Sequence, residues 1–187
     1  MNLRRTPIET ITDKGIKTME GEREFDAIVY ATGFDAMTGP LLRVDIRGRG
    51  GVKLQDAWVD GPRSYLGIAI HGFPNLFTIT GPSSPSVLSN MLVSIEQHVD
   101  WVSDCIQWMR EEGKATIEPS DSAEREWAEH TEQLANMTLY PKANSWYMGS
   151  NMPGKPRMFL AYVGGVGTYR LICDQVAASG YHGFEAA

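Results

Sequence analysis

The sequence predicts an α/β fold on three observations: a small antiparallel meander at the N-terminus, short apolar runs bounded by glycine and proline, and a long helical periodicity after residue 88. From Pro7 to Thr32, Ile8 and Ile11 precede an Asp13-Lys14-Gly15 turn, Ile16 follows, and Met19-Glu20-Gly21-Glu22 makes the next turn. The last member of this meander, Phe25 to Ala31, is continuously apolar apart from Asp26 and is cut off by Gly33, as in a strand buried on both faces of a sheet. The glycine- and proline-containing stretch from Thr38 to Pro74 reads as loop, with β-like pieces at Leu42 to Ile46 and Tyr65 to Ile70. Asn75 to Thr80 makes a second short buried strand, stopped by Gly81-Pro82-Ser83-Ser84-Pro85-Ser86. A helix follows, its apolar stripe carried by Leu88, Met91, Leu92, Ile95, Val99, Val102, Ile106 and Met109, and ends at Glu111 to Gly113. Asp121 with Glu124 three residues later gives a capping-box-like start to a partly exposed second helix with Trp127 and Leu134. Met158 to Val163 is a third apolar strand, Gly164 to Gly167 a turn, and Tyr169 to Ser179 a final helix with Gly180 as its C-cap.

The 187 residues exceed one typical domain slightly, and 42% hydrophobic with 21% charged residues place the chain among globular proteins rather than disordered ones. A formal net charge of −6 lacks the basic field that nucleic acid or an anionic membrane requires, so neither partner is expected. No run reaches the length of a membrane span, and the opening residues lack the apolar middle of a secretory signal; a reducing, cytoplasmic setting is the expectation. Cys105 and Cys173 form neither a disulfide framework nor a CxxC pair and read as small buried hydrophobes. The histidines at 71, 98, 130 and 182 show no metal-ligand spacing, so no metal is expected.

Three segments could carry chemistry. Gly165-Val166-Gly167-Thr168-Tyr169-Arg170 follows a strand and opens a helix, but Arg170 stands where a dinucleotide fingerprint needs a small residue, so a plain strand-to-helix turn is favoured. Gly81 to Ser86 lies at the entrance of the long helix, where the positive dipole end would stabilise an electron-rich group; the alternative is that Ser84 or Ser86 simply caps the helix. Asn144 to Pro156 is a loop whose Trp146 and Tyr147 either meet a planar or sugar-bearing ligand or pin the loop to the domain. Neither GxSxG nor a P-loop is present.

The blocks at residues 26–39, 61–101 and 138–184 together resemble the C-terminal third of Baeyer-Villiger monooxygenases, of the phenylacetone and steroid monooxygenase type. The resemblance implies the C-terminal part of a flavoprotein with two dinucleotide-binding domains, dependent on FAD and NADPH, that converts ketones to esters or lactones with O2. It implies hydride transfer from NADPH to FAD, reaction of the flavin with oxygen, attack on the ketone carbonyl and migration of one carbon substituent. Both GxGxxG units, the FxGxxxHxxxWP motif and the essential arginine of that family do not occur in these 187 residues. The expectation is therefore a fragment, whether truncated gene product or cloned portion, inactive alone and lacking the N-terminal FAD and NADP domains.

Residue by residue, Ala31, Thr32 and Gly33 match the ATG segment that returns the chain from the NADP domain and passes near the nucleotide, which places a boundary between residues 1–35 and 36–187. Gly81, Pro82, Ser83 and Met91 match the stretch beside the flavin ring. Ser86, Val87 and Leu88 match the loop lining the ketone pocket, and Trp146 matches a mobile-loop tryptophan that contacts NADP. No catalytic residue is expected within the chain. The rival expectations are an N- or S-oxygenating flavin monooxygenase, against which the 146–156 tail argues, and a non-catalytic interaction module. Sheet faces that lack their partners are expected to drive self-association.

Overall fold

The computed structural model describes residues 2–3, 5–31, 33–150 and 154–187. The chain divides into two compact units, Met1–Phe34 and Asp35–Ala187.

The first unit is an antiparallel meander of β1 (Ile8–Ile11), β2 (Gly15–Thr18) and β3 (Gly21–Glu24), with Ile8 opposite Thr18 and Gly15 opposite Glu24. The first turn is shaped by Thr12, whose hydroxyl oxygen accepts from the Gly15 amide at 3.0 Å. The expected strand at Phe25 to Ala31 does not form: the third strand is the polar Gly21–Glu24, and residues 25–31 run on irregularly with Val29 and Tyr30 exposed. A strand meant to be covered on both faces needs neighbours to take up its amides and carbonyls, and among the described residues only the Phe25 amide finds one, donating to Lys14 O at 3.0 Å.

In the second unit, helix α1 (Met91–Glu111) packs against helix α3 (Val166–Ala178). The main core joins Trp101, Cys105 and Met109 of α1 to Tyr169, Cys173 and Val176 of α3, with Tyr65, Leu66, Ile117, Trp127 and Tyr162 around them. Burying side chains of this size is the chief stabilising term, about 1.5–3 kcal/mol for each fully buried aliphatic. A smaller cluster of Leu54, Trp58, Ile70 and Phe73 lies beneath the loop-rich stretch. Strands β4 (Ile117–Pro119) and β5 (Phe184–Ala186) pair antiparallel, closing the C-terminus onto the start of α2 (Asp121–Asn136). Both cysteines are free and buried. No described helix is long and apolar enough to cross a membrane.

Several expected elements take another form. Asn75 to Thr80 contributes a single bridge, Phe77 to Ala69, because Asn75 and Thr80 adopt left-handed φ of 60° and 51°, which breaks any ladder. Tyr65 to Ile70 is a tight turn through Leu66 and Gly67, with Tyr65 bridged to Ala69, and the Leu42 to Ile46 region begins as a helical turn, Gly39–Leu42, opened by Pro40. Met158 to Val163 is extended but no strand: its amides and carbonyls bond to loops, Leu160 N–H to Tyr147 O at 3.0 Å and Tyr162 N–H to Ser84 O at 2.7 Å. Helix α2 is capped by Ser120, whose hydroxyl accepts from Ala123 N–H at 3.2 Å, not by a box from Asp121. Helix α3 starts at Val166 on a Gly165 cap, earlier than Tyr169, and Gly180 follows its end with φ 71° as expected.

Helix α1 starts at Met91, later than the periodicity from Leu88 predicts, because Leu88 lies on a separate single turn, Ser86–Leu88, and of the expected stripe only Met109 is fully on the buried side. Ser94, Gln97, His98, Trp101, Cys105 and Met109 face the core, while Leu92, Val93, Val99 and Ile106 are exposed.

Candidate functional site

Left-handed backbone is concentrated around the Gly81–Ser86 turn. Thr80, Ser83 and Ser86 hold φ of 51°, 67° and 46°, a region that disfavours residues with a Cβ and β-branched threonine most of all. Such strain, of order 1–3 kcal/mol per residue, persists only where surroundings over-determine it, and it concentrates at functional sites. The surroundings here do so. Gly81 N–H donates to Gly67 O at 3.1 Å, Ser64 Oγ to Pro82 O at 2.6 Å, Ser83 N–H to Leu160 O at 3.1 Å and Trp127 Nε1 to Ser83 O at 3.1 Å. Gly67, at φ 71°, is needed for the close approach: a Cβ there would lie 2.5 Å from Ser84 Cβ.

One end of the turn is fixed by a relay through His98, which is fully buried. Thr80 N–H donates to His98 Nδ1 at 3.0 Å, so Nε2 carries the ring hydrogen and donates to the Tyr169 hydroxyl at 2.7 Å; Tyr169 in turn donates to Leu66 O. Desolvation lowers the His98 pKa to about 4, in keeping with a neutral ring. Burial likewise raises the Tyr169 hydroxyl well above its ordinary value. Two buried carboxylates hold the neighbouring loop: Glu118 accepts from Gly72 N–H at 2.8 Å and pairs with Arg49, and Glu124 accepts from His71 N–H at 2.9 Å. Desolvation raises the Glu124 pKa, opposed by the His71 amide.

The residues singled out in the sequence fall into distinct settings. Gly81, Pro82 and Ser83 are buried, their backbone committed to the bonds above. Ser86 is buried with Oγ 3.3 Å from Met37 Sδ, Val87 is exposed, and Leu88 is half-buried in a cavity of about 310 Å³ with Pro85, Tyr140, Tyr162 and Val166. Neither Ser84 nor Ser86 caps α1, and the dipole end lies past the turn: Asn90 is the cap, its Oδ1 accepting from Leu92 N–H at 3.1 Å. Half-buried Met91 opens the helix, and the Met91 and Val93 amides are left as free donors among the described residues.

Trp146 sits half-buried on a single turn, Trp146–Met148, its ring stacked on Tyr147 with centroids 4.0 Å apart. Tyr147 lies 5.3 Å from Tyr140, which lines the Leu88 cavity, so ring contacts connect Trp146 to that cavity. Met148 is buried and anchors the turn. In the first unit, Ala31 and Gly33 are exposed; Thr32 lies outside the described residues. No histidine, cysteine or carboxylate cluster suited to a metal occurs among the described residues. Spacing gave no sign of His98 or Glu118 as organising residues, since each acts on backbone distant in sequence.

No family model matches the chain. Acetone monooxygenase (methyl acetate-forming) of Gordonia sp. is 47% identical over 97% of the chain, and cyclohexanone 1,2-monooxygenase of an Acinetobacter species 39% identical over 98%. Over its whole length the chain matches the C-terminal third of Baeyer-Villiger monooxygenases. It spans about 34% of the length of those two relatives. The solved structure of closed cyclohexanone monooxygenase covers all of the chain at TM-score 0.94 and 43% identity, and that of oxidized steroid monooxygenase bound to NADP does so at 0.88 and 48%; the chain covers 35% of each. A phenazine N-monooxygenase of Lysobacter antibioticus is also 40% identical over 98% of the chain. The 146–156 tail therefore does not by itself separate Baeyer-Villiger oxygenation from N-oxygenation.

Proposed function

We propose that this chain forms the C-terminal part of an FAD- and NADPH-dependent Baeyer-Villiger monooxygenase that oxidises ketones to esters or lactones with O2. The observation that carries the reading is similarity to such enzymes over nearly all of this chain, which spans about a third of their length. When bound, flavin and nicotinamide supply the hydride and oxygen chemistry; the chain's residues bind, orient and exclude water. The fit rests on α1: its N-terminus offers the unpaired Met91 and Val93 amides at the positive end of a 21-residue helix, a donor set suited to an electron-rich ring. Met91 stands beside that ring, with Gly81, Pro82 and Ser83 as the rigid frame. Ser86, Val87 and Leu88 are assigned to the ketone pocket; of the three, Leu88 lines a cavity of about 310 Å³. Trp146 is the residue that would contact NADP, and Ala31, Thr32 and Gly33 are assigned to the nucleotide by the resemblance alone.

On this reading the catalytic arginine and the N-terminal FAD and NADP domains lie outside these residues, and the segments Phe25 to Ala31 and Asn75 to Thr80, which those domains would cover, lead the chain alone to self-associate. The parent enzyme works in the cytoplasm, in keeping with two free thiols. The test is ketone oxygenation and FAD titration, first with the 187-residue chain and then with the chain joined to the residues preceding it in its gene. The chain alone is expected to show no NADPH-dependent ester formation and the joined protein to show it. Turnover by the chain alone, or a joined protein that binds no FAD, would overturn the proposal. The phenazine relative favours a second reading, N-oxygenation, which predicts an N-oxide from a heteroaromatic amine and no ester from a ketone.

A further inference from the structure

Two basic side chains, neither assigned above, converge on the loop that carries Trp146. Arg157 spends both terminal nitrogens there. Its Nη1 donates to Asn144 Oδ1 at 2.7 Å and Ser150 Oγ at 2.8 Å, and its Nη2 donates to the carbonyl oxygens of Pro141 at 2.8 Å and Ala143 at 2.9 Å. These four acceptors lie on both sides of Trp146 in the chain, so one planar fork fixes both flanks of the turn. Lys155 holds the returning strand of the same loop: it pairs with Asp35, both side chains only 18% exposed, and donates to Thr38 Oγ1 at 2.8 Å. The turn closes its own backbone, Met148 N–H donating to Ser145 O and Gly149 N–H to Trp146 O, both at 3.0 Å, but Ser145 Oγ is buried without a hydrogen-bond partner among the described residues, so side-chain anchorage falls to Met148 and to Arg157.

We propose that Arg157, seconded by Lys155, is the positioning residue that sets Trp146 for contact with a bound nucleotide; the inference rests on the role given to Trp146 above. A guanidinium suits this task because its donors are rigidly coplanar and stay charged at any working pH. Lysine at 157 would present one compact ammonium with three donors, too few for the four bonds that the guanidinium makes.

Hydrogen exchange read by mass spectrometry tests the clamp in the 187-residue chain. Arg157→Gln is expected to speed exchange across residues 143–150 at least tenfold and Arg157→Lys to restore only part of the protection, with 91–111 and 166–178 unchanged in both. Unchanged rates at 143–150, or a rise spread equally over the two helices, would overturn it. The second arm uses the chain joined to its preceding residues: Arg157→Gln is expected to raise the KM for NADPH about tenfold while kcat changes less than threefold. An unaltered KM would remove the positioning role. A joined wild-type protein without NADPH-dependent activity would remove the functional reading instead, and the exchange rates would then decide the clamp alone.

Discussion

His98 is kept neutral by geometry as well as by burial. One ring nitrogen faces a backbone donor and the other a hydroxyl already committed to Leu66, so a proton on Nδ1 would displace the Thr80 amide. Its folded pKa of about 4 lies below the ordinary 6.5. Protonation therefore favours the unfolded chain: the stabilisation is fully present above pH 6.5 and is lost as pH falls toward 4, amounting to about 3 kcal/mol. Urea unfolding at pH 7.5 and 4.5 should show this loss, and His98→Gln should flatten it while lowering stability at pH 7.5; parallel slopes for the two proteins would defeat the assignment. Glu124 acts in the opposite sense, because a carboxyl with a raised pKa is better tolerated in the fold once protonated. Glu118 has a separate task. Replacing it by alanine leaves the Gly72 amide unpaired, which should cost about 1–3 kcal/mol in the same assay; no loss would mean that the loop repacks.

Among the elements, α1 shows how far periodicity reaches. Apolar residues at three- and four-residue steps locate the helix from Met91 to Glu111, yet they do not tell which side is inside. The buried side includes Ser94, Gln97 and His98, polar residues whose inward position depends on partners such as Tyr169, far along the chain. Leu92, Val99 and Ile106 lie at seven-residue steps on the other side, in water. If the chain self-associates through this stripe, placing charges there, as Leu92→Lys, Val99→Glu and Ile106→Lys together, should weaken concentration-dependent association in light scattering without loss of helical circular dichroism. Persistent association would point to the exposed 25–31 segment instead. The strands were less legible for a related reason. Apolar composition says that Phe25 to Ala31 and Met158 to Val163 belong under cover, but a strand exists only when another supplies its ladder. The three-residue strands β4 and β5 carry too little pattern to read at all.

At the scale of the whole molecule, the order of motifs carried what local pattern could not. The turn at 81–86 and the loop at 144–156 are ambiguous by spacing alone; their shared order in a long resemblance made them one candidate site. The structure adds the mechanical side: buried serines, a neutral histidine and two inward carboxylates hold loops in place where regular structure is sparse. Arg157 and Lys155 extend that economy to the aromatic loop.

The bare side of α1 also bears on how such a polypeptide fares once synthesised. Leu92, Val99 and Ile106 form the kind of greasy stripe that holdase chaperones grip and proteases follow, so the yield of intact material depends on how quickly something shields it. Charging that stripe, as in the triple variant above, should raise the yield of intact polypeptide more effectively than lowering the temperature, because it removes the grip rather than merely slowing the encounter.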